Sequence, residues 1–576
     1  MKRLMICNQA IARGAFEAGV KVISSYPGTP STEITEFASI YPEMHCEWAP
    51  NEKVATEVAI GAAFAGVRSM ACMKHVGVNV AADPLFTAAY TGVNAGFVLV
   101  VADDPSMHSS QNEQDSRYYA LSAHVPMLEP SDAAESKAFL KAAFYLSEKY
   151  DTPVMLRLTT RVAHSQSIVT MEERIELTDK PFIKNIDKYV MMPAMARKRH
   201  LIVEERENKL SFDVNFSPLN RIEMRNKNLG IICAGGVYNY VKEATDASIF
   251  KLGCIYPLPL NKIREFASLV DDLLIVEELE PFFENQLKSH GVHCHGKDIF
   301  GLQGELSVAT IRLKLLKNAV PQPYTDIPSR PPIMCAGCPH RGVFYIIKKL
   351  KLLVSGDIGC YALGAAPPLN AVDLCVCMGA SIGMAHGFDK ANPNNANKIV
   401  AVIGDSTFVH SGITSVINSV YNKANSTIII LDNSITGMTG HQQNPATGKT
   451  LSGEITHKLD LALLVKACGV DRVEIVDAYD LDAVEKAIKA ETENAGVGVI
   501  IAKRPCVLID KKLLSSRPYF VNKGCKKCGG CLKIGCPAIF NITGEIQISK
   551  ENCIGCGVCA SLCRFDAIEQ EKIVST

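Results

Sequence analysis

Eight of the 21 cysteines in this 576-residue chain lie between Cys525 and Cys563. They form two runs: Cys525, Cys528 and Cys531 followed by Cys536, then Cys553, Cys556 and Cys559 followed by Cys563. A C-x-x-C-x-x-C loop is short enough to wrap three corners of one iron–sulfur cube. Two such runs, each with one further cysteine, supply the eight thiolates that two [4Fe-4S] clusters need. Glycines at 524, 529, 530, 555 and 557 allow the tight turns and leave backbone N–H groups to point at sulfur. Zinc and structural thiols are the competing readings, and two complete tandem runs favour clusters over both. Clusters this close together serve electron transfer, which leaves open what is oxidised.

A second group of residues offers hard oxygen ligands. The strand-like run 398–403 (KIVAVI) ends in Gly404-Asp405-Ser406, and the run 427–431 (TIIIL) ends in Asp432-Asn433-Ser434-Ile435-Thr436-Gly437. Adjacent parallel strands bring their C-terminal ends together, where α/β folds bind ligands. The Asp405 carboxylate, the Asn433 amide oxygen and a carbonyl near Ile435 make half an octahedron for Mg²⁺, leaving room for diphosphate oxygens and water. This arrangement resembles the Gly-Asp-Gly…Asn motif of thiamine-diphosphate enzymes, with Ser406 in place of the second glycine. Gly379, Ser381 and Gly383 form a small-residue turn suited to close approach by a diphosphate. Gly404, Ser406, Thr436, Thr439 and His441 are further candidate contacts. Such enzymes also need a carboxylic acid beside the pyrimidine ring, to favour the tautomer that removes the C2 proton. Glu52, in the first turn of a helix beginning at Asn51, is the candidate, and Glu57 is the alternative.

These groups need sheets to hold them. Through residue 180, short β-branched runs alternate with Ala/Gly-rich helical stretches, the rhythm of a parallel sheet covered on both faces. The predicted organisation is one α/β domain over 1–180, a polar linker over 181–228, and a second α/β domain over 229–325. A third α/β domain over 326–510 follows a proline-rich break at Pro321–Pro332, and the cysteine-rich tail occupies 515–576. Lys plus Arg number 60, as do Asp plus Glu. That balance argues against a nucleic-acid surface, which needs clustered positive charge. The most apolar run, 96–102 (GFVLVVA), ends at Asp103-Asp104-Pro105 and reads as a buried strand, so no membrane span is expected. The N-terminus lacks the sustained apolar core of a signal peptide, which makes the cytoplasm the expected location.

Taken together, the chain resembles the 2-oxoacid:ferredoxin oxidoreductases, and most closely the α subunits that act on indolepyruvate. The resemblance implies thiamine-diphosphate-binding, transketolase-like parallel-sheet domains with a C-terminal two-cluster ferredoxin-like domain. Tyr26-Pro27-Gly28-Thr29-Pro30 is similar to the family's substrate loop, which puts Thr29 against the oxoacid. Arg117 sits where the family uses an arginine for the substrate carboxylate, and His75 lies near the same region by analogy. The tail is similar to bacterial two-cluster ferredoxins. That likeness implies Cys525, Cys528 and Cys531 with Cys563, and Cys553, Cys556 and Cys559 with Cys536. Here four residues instead of three precede Cys536, and Arg564 stands where proline is usual. Cys335, Cys338, Cys360 and Cys506 fall where several relatives bind a third [4Fe-4S] cluster. The other nine cysteines, Cys375 and Cys377 among them, are expected to be small buried packing residues.

The implied reaction is oxidative decarboxylation of an arylpyruvate, with electrons passed through the clusters to ferredoxin and coenzyme A capturing the acyl group. A smaller β subunit is the implied partner. Three alternatives stand beside it: a non-oxidative 2-oxoacid decarboxylase, an oxidoreductase for pyruvate or 2-oxoglutarate, and an electron-transfer subunit with a vestigial thiamine site. No Gly-rich dinucleotide fingerprint points to NAD.

Overall fold

The computed structural model describes residues 1–316, 327–328, 330–392, 397–514 and 516–571. It divides into two units, Met1–Thr325 and Asp326–Thr576. Most of the proline-rich break at Pro321–Pro332 lies outside the described residues. No helix among the described residues is long and apolar enough to cross a membrane.

In the first unit, Ser69–Lys74, Phe97–Asp103 and Val154–Thr159 are buried along their whole length. Two-sided burial is why they read as continuous apolar runs instead of alternating ones. They form the centre of a seven-stranded sheet whose order is Cys254–Tyr256, Met127–Leu128, Val154–Thr159, Phe97–Asp103, Ser69–Lys74, Val22–Ser25, His45–Trp48. All its neighbours run parallel except the first pair. A four-stranded sheet follows, ordered Asp272–Val276, Asn226–Ala234, Ala247–Leu252, Arg221–Glu223.

The two sheets are not separate domains. Phe250, Phe266 and Ile232 of the second part share one apolar cluster with Leu85, Phe97 and Leu99 of the first. Strand Cys254–Tyr256, expected in the 229–325 domain, adds to the edge of the first sheet. A buried charge network crosses the same join. Arg117, 1% exposed, donates to both Asp115 oxygens and to Glu277 Oε2 at 2.6 Å, and its Nη2 reaches the carbonyls of Glu278 and Glu280 at 3.0 Å.

The stretch predicted to be a linker, 181–228, is instead a brace. Its helix Pro193–Asp213 places Arg199 and Arg206 on the last turn of helix His75–Thr91. Arg199 Nε donates to the Tyr90 carbonyl at 2.5 Å, and Arg206 Nη2 to the Ala89 carbonyl at 2.9 Å. Those carbonyls have no partner inside their own helix, and cations suit a helix C-terminus.

In the second unit five parallel strands are ordered Leu353–Ser355, Ile399–Gly404, Ser426–Asp432, Val497–Lys503, Arg472–Asp477. The tail contributes two antiparallel pairs, Tyr519–Val521 with Ile568–Gln570 and Ile539–Ile542 with Glu545–Ile548. It shares a core with the sheet domain: Ile534, Ile539, Ile546 and Ile568 cluster with Val343, Phe344 and Val402.

Because Arg117 neutralises Asp115 and Glu277 in the interior, its removal strands two buried carboxylates. Arg117→Ala is expected to cost about 3–5 kcal/mol, read as a lower urea midpoint for the first unit's transition, whereas a surface arginine such as Arg312 changes it little.

Candidate functional site

The diphosphate-type site is built on two adjacent strand ends. Gly404 pairs with Leu431 in register, so Asp405 and the Asp432–Asn433 turn emerge side by side. Gly404 is obligatory because an added Cβ would come within 2.5 Å of the Tyr361 ring. Thr436 Oγ1 donates to Ser406 Oγ at 2.9 Å and ties the two loops together. Asp405 is 2% exposed; its Oδ1 accepts from the Ser406 amide at 2.8 Å, and its buried Oδ2 has no hydrogen-bond partner among the described residues. Burial, with Asp432 nearby, pushes its carboxyl up to about 8. A buried carboxylate in this state lacks a cation, and the Asp405–Asn433 pair fits the Mg²⁺ of a bound diphosphate.

The small-residue turn behaves differently from its sequence expectation. Gly379 adopts φ 83°, and an added Cβ would lie 2.4 Å from Ser411 Cβ. The amides of Gly379 and Ser381, however, already donate to the Asp357 carboxylate at 2.8 and 3.0 Å. Asp357, which sequence reasoning missed, fixes this turn. What remains for a ligand is the buried Ser381 Oγ, without a partner among the described residues, and the open side of Gly383. Thr439 is committed to Gln442 through its hydroxyl.

In the first unit, Glu52 opens helix Glu52–Phe64, whose Asn51 cap accepts from the Val54 amide at 2.9 Å. Glu52 is 4% exposed and lies against helix His75–Thr91 at Gly77, where an added Cβ would come within 2.8 Å of Glu52 Oε1. Glu57 is exposed and paired with Lys53, so it does not compete for the role. Thr29 belongs to the same neighbourhood: Ser109 Oγ donates to its carbonyl at 3.4 Å, and the Ser109 carbonyl accepts from Lys74 Nζ at 2.9 Å. His75 is 1% exposed with Nε2 3.3 Å from the Asn112 carbonyl; its Nδ1 has no partner among the described residues, and burial holds its pKa down. Arg117 does not join this group. Its donors are spent on Asp115, Glu277 and two carbonyls, so the sequence assignment to a substrate carboxylate is corrected. Lys74 is the cation the structure puts there instead, its ammonium pushed down to about 8 by burial despite Asp104 and Glu52 nearby. Its only sequence signal was a lysine at a buried strand's end.

The tail thiols ring two cavities. One is lined by Cys525, Cys528, Cys531 and Cys563, the other by Cys536, Cys553, Cys556 and Cys559. Each cavity thus takes its fourth thiol from the other run. Cys335 has Cys338, Cys360 and Cys506 as electrostatic neighbours, and Cys360 also neighbours Cys338 and Cys506; burial pushes Cys338 up to about 12 and Cys360 up to about 11. Cys506 also reaches the metal-type site: its amide donates to the Asn433 carbonyl at 2.9 Å. Two of the nine packing cysteines are corrected. Cys375 and Cys377 are exposed, in an irregular segment with no sheet or helix face to bury them.

Residues 13–210 match the family described as pyruvate flavodoxin/ferredoxin oxidoreductase, thiamine diphosphate-binding. Residues 357–502 match the C-terminal TPP binding domain of thiamine pyrophosphate enzymes, and 546–569 a 4Fe-4S binding domain. The indolepyruvate oxidoreductase subunit IorA of Archaeoglobus fulgidus is 39% identical over 99% of this chain and 98% of its own length. The chain belongs to the IorA family. The Thermococcus kodakarensis IorA is 40% identical over 99% of this chain and 97% of its own. A shorter likeness, 31% identity over 30% of this chain and 48% of the other, is to the 2-oxoglutarate synthase subunit KorA of Methanothermobacter thermautotrophicus. As an IorA-family member the chain is an oxidoreductase subunit, with thiamine-diphosphate-dependent oxidative decarboxylation and iron–sulfur electron transfer as its chemistry.

Asp405 gives the site a pH signature. Without Mg²⁺ and cofactor, the folded chain keeps the Asp405 proton to about pH 8 while the unfolded chain loses it near 3.8. Stability is therefore expected to fall as pH rises through that window, and Asp405→Asn to flatten the fall. Urea midpoints between pH 5 and 8 check this, and an equally steep decline in Asp405→Asn would refute it.

Proposed function

We propose that this chain is the catalytic subunit of an arylpyruvate:ferredoxin oxidoreductase. It converts indolepyruvate, coenzyme A and two oxidised ferredoxins to the arylacetyl-CoA, carbon dioxide, two reduced ferredoxins and a proton. The observation that carries the reading is the buried, partnerless Asp405 oxygen in a unit that also holds two thiol-ringed cavities: a diphosphate–Mg²⁺ cradle and an electron path in one polypeptide. The 39–40% identity to indolepyruvate oxidoreductase subunits over 99% of the chain supports the substrate class. We place the enzyme in the cytoplasm, where its thiols stay reduced, with a smaller β subunit as partner.

Thiamine diphosphate, when bound, supplies the carbon nucleophile and the electron sink for decarboxylation. Asp405, Asn433 and the Ile435 carbonyl would hold the Mg²⁺ of a diphosphate, with Ser381 and the open side of Gly383 available to the phosphates. Glu52, held against helix His75–Thr91 by the bare Gly77, would hold a proton at the pyrimidine N1′ of a bound cofactor. Thr29 orients the oxo group. The Lys74 ammonium, with one of its three N–H donors on the Ser109 carbonyl, meets the substrate carboxylate in the place expected for Arg117. Neutral His75 presents Nδ1 as a further hydrogen-bonding group. Cys525, Cys528, Cys531 and Cys563 carry one cluster, and Cys536, Cys553, Cys556 and Cys559 a second. Cys335, Cys338, Cys360 and Cys506 would carry a third, with Cys506 bonded through its amide to the Asn433 carbonyl.

The test is an anaerobic assay of the purified α and β pair with indolepyruvate, phenylpyruvate, pyruvate and 2-oxoglutarate, coenzyme A and a viologen dye. Thioester formation with dye reduction on the aryl substrates is expected; aldehyde without dye reduction would identify a non-oxidative decarboxylase. Glu52→Gln should lower turnover at least ~100-fold while cofactor binding persists, and full activity in Glu52→Ala would remove Glu52 from the mechanism. For the oxoacid, kcat/KM should decline above pH about 8 as Lys74 loses its proton. Lys74→Met should abolish that limb and lower kcat/KM about tenfold or more. Iron analysis should give about 12 Fe per chain, falling to about 8 in Cys506→Ala.

A further inference from the structure

Arg341 is a buried cation with no acid beside it. It is 4% exposed, and among the described residues it pairs with no Asp or Glu. Its place is the first turn of helix His340–Lys349, where the helix dipole disfavours positive charge and no acidic residue offsets it. Its electrostatic neighbours are thiols: Cys536, Cys338, Cys335 and Cys556. The guanidinium instead binds carbonyl oxygens on two separate loops. Nε donates to Cys335 at 3.0 Å and Nη2 to Met334, while Nη1 donates to Gly535 and reaches Ile534 at 3.4 Å.

Those contacts place the charge in the wall of one thiol cavity. Arg341 and Cys338 line the cavity ringed by Cys536, Cys553, Cys556 and Cys559. The Cys335–Cys338 loop presses directly on the Cys553–Cys556 loop. At Gly337, φ 66°, an added Cβ would come within 2.2 Å of Ile554 Cδ1, and the Gly337 carbonyl accepts from Tyr479 Oη at 2.5 Å. Carbonyl dipoles alone do not neutralise a buried guanidinium; a buried charge is retained where an opposite charge faces it. A cubane with four thiolate ligands carries net negative charge, and gains more when one electron enters.

We propose that Arg341 is the fixed counter-charge of the cluster held by Cys536, Cys553, Cys556 and Cys559, and that it raises that cluster's reduction potential while clamping the Cys335–Cys338 loop against it. The proposal rests on the reading of this cavity as a cluster site. A cation in the wall favours the more negative, reduced state, so electrons arriving from the cofactor side are drawn to this cluster. The arginine fork suits the double role, because one planar group reaches carbonyls on both loops.

The experiment compares wild type, Arg341→Gln and Arg341→Lys in the anaerobically purified complex with its partner subunit, by iron content and EPR-monitored redox titration. In Arg341→Gln the reduced-to-oxidised ratio of one cluster at fixed ambient potential should fall about tenfold, or about 59 mV for a one-electron couple. The cluster of Cys525, Cys528, Cys531 and Cys563 serves as the unshifted internal control. Arg341→Lys, which keeps the charge, should stay within about threefold of wild type. Loss of about four irons in Arg341→Gln but not in Arg341→Lys would also support the proposal. It is overturned if Arg341→Gln keeps both its iron and its ratio, or if Arg341→Lys fails as Arg341→Gln does. If Cys556→Ala in the wild-type background leaves iron content unchanged, the cluster reading of the cavity itself falls, and the counter-charge role with it.

Discussion

Asp405 ends a strand buried on both faces and holds one carboxylate oxygen away from water and from every protein donor described. A protein interior does not keep such a group ionised without an opposite charge. The elements around it serve to put it there. The register of Gly404 with Leu431 brings Asn433 beside it, the bare Gly404 clears the Tyr361 ring, and Thr436 fastens the two loops through Ser406. The site is organised by a charge that the chain leaves for a ligand to satisfy.

Buried charge is handled in two ways in this protein, and the contrast separates structure from function. Arg117 with Asp115 and Glu277, and Arg157 with Asp103 and Glu129, are neutralised within the chain, each cation meeting carboxylates at 2.5–2.7 Å. The Arg117 set ties the two sheets of the first unit together, and the Arg157 set fastens neighbouring strands of the seven-stranded sheet. Asp405 and Arg341 are not closed in this way. One is a carboxylate facing a cradle of oxygen ligands, the other a guanidinium facing thiols, and each matches the charge of the group its surroundings fit. Lys74 stands between these cases, with a carbonyl partner and two acids nearby but donors to spare.

The same economy of packing explains why the predicted domains merge. The four-stranded sheet has no core of its own on the side of Phe250, and the cysteine tail is too small to bury its isoleucines alone. Each therefore packs against a larger neighbour, and the thiol cavity of Cys536 and Cys556 is walled partly by residues of the sheet domain. The polar segment between the first two sheets reads as a linker from composition. Its buried arginines instead satisfy carbonyls at the end of a neighbouring helix, a role that composition does not reveal.

Local sequence determined whatever depends on spacing along the chain. The two cysteine runs, the strand ends at Asp405 and Asn433, the Asn51 cap with Glu52 behind it, and the long apolar strands were legible because three to seven neighbouring residues define each of them. The tertiary structure decided whatever depends on which side chains a fold brings opposite one another. Arg117 looked available in a polar run, yet Glu277, 160 residues away, claims it. Lys74 and Asp357 carried no motif, yet the fold sets one near Glu52 and Asp104 and uses the other to fix the Gly379–Ser381 turn. Cys375 and Cys377 looked like core and lie exposed, because burial belongs to the surrounding elements and not to the residue. A motif specifies the groups that can react; only the packed chain determines which of their charges are already satisfied.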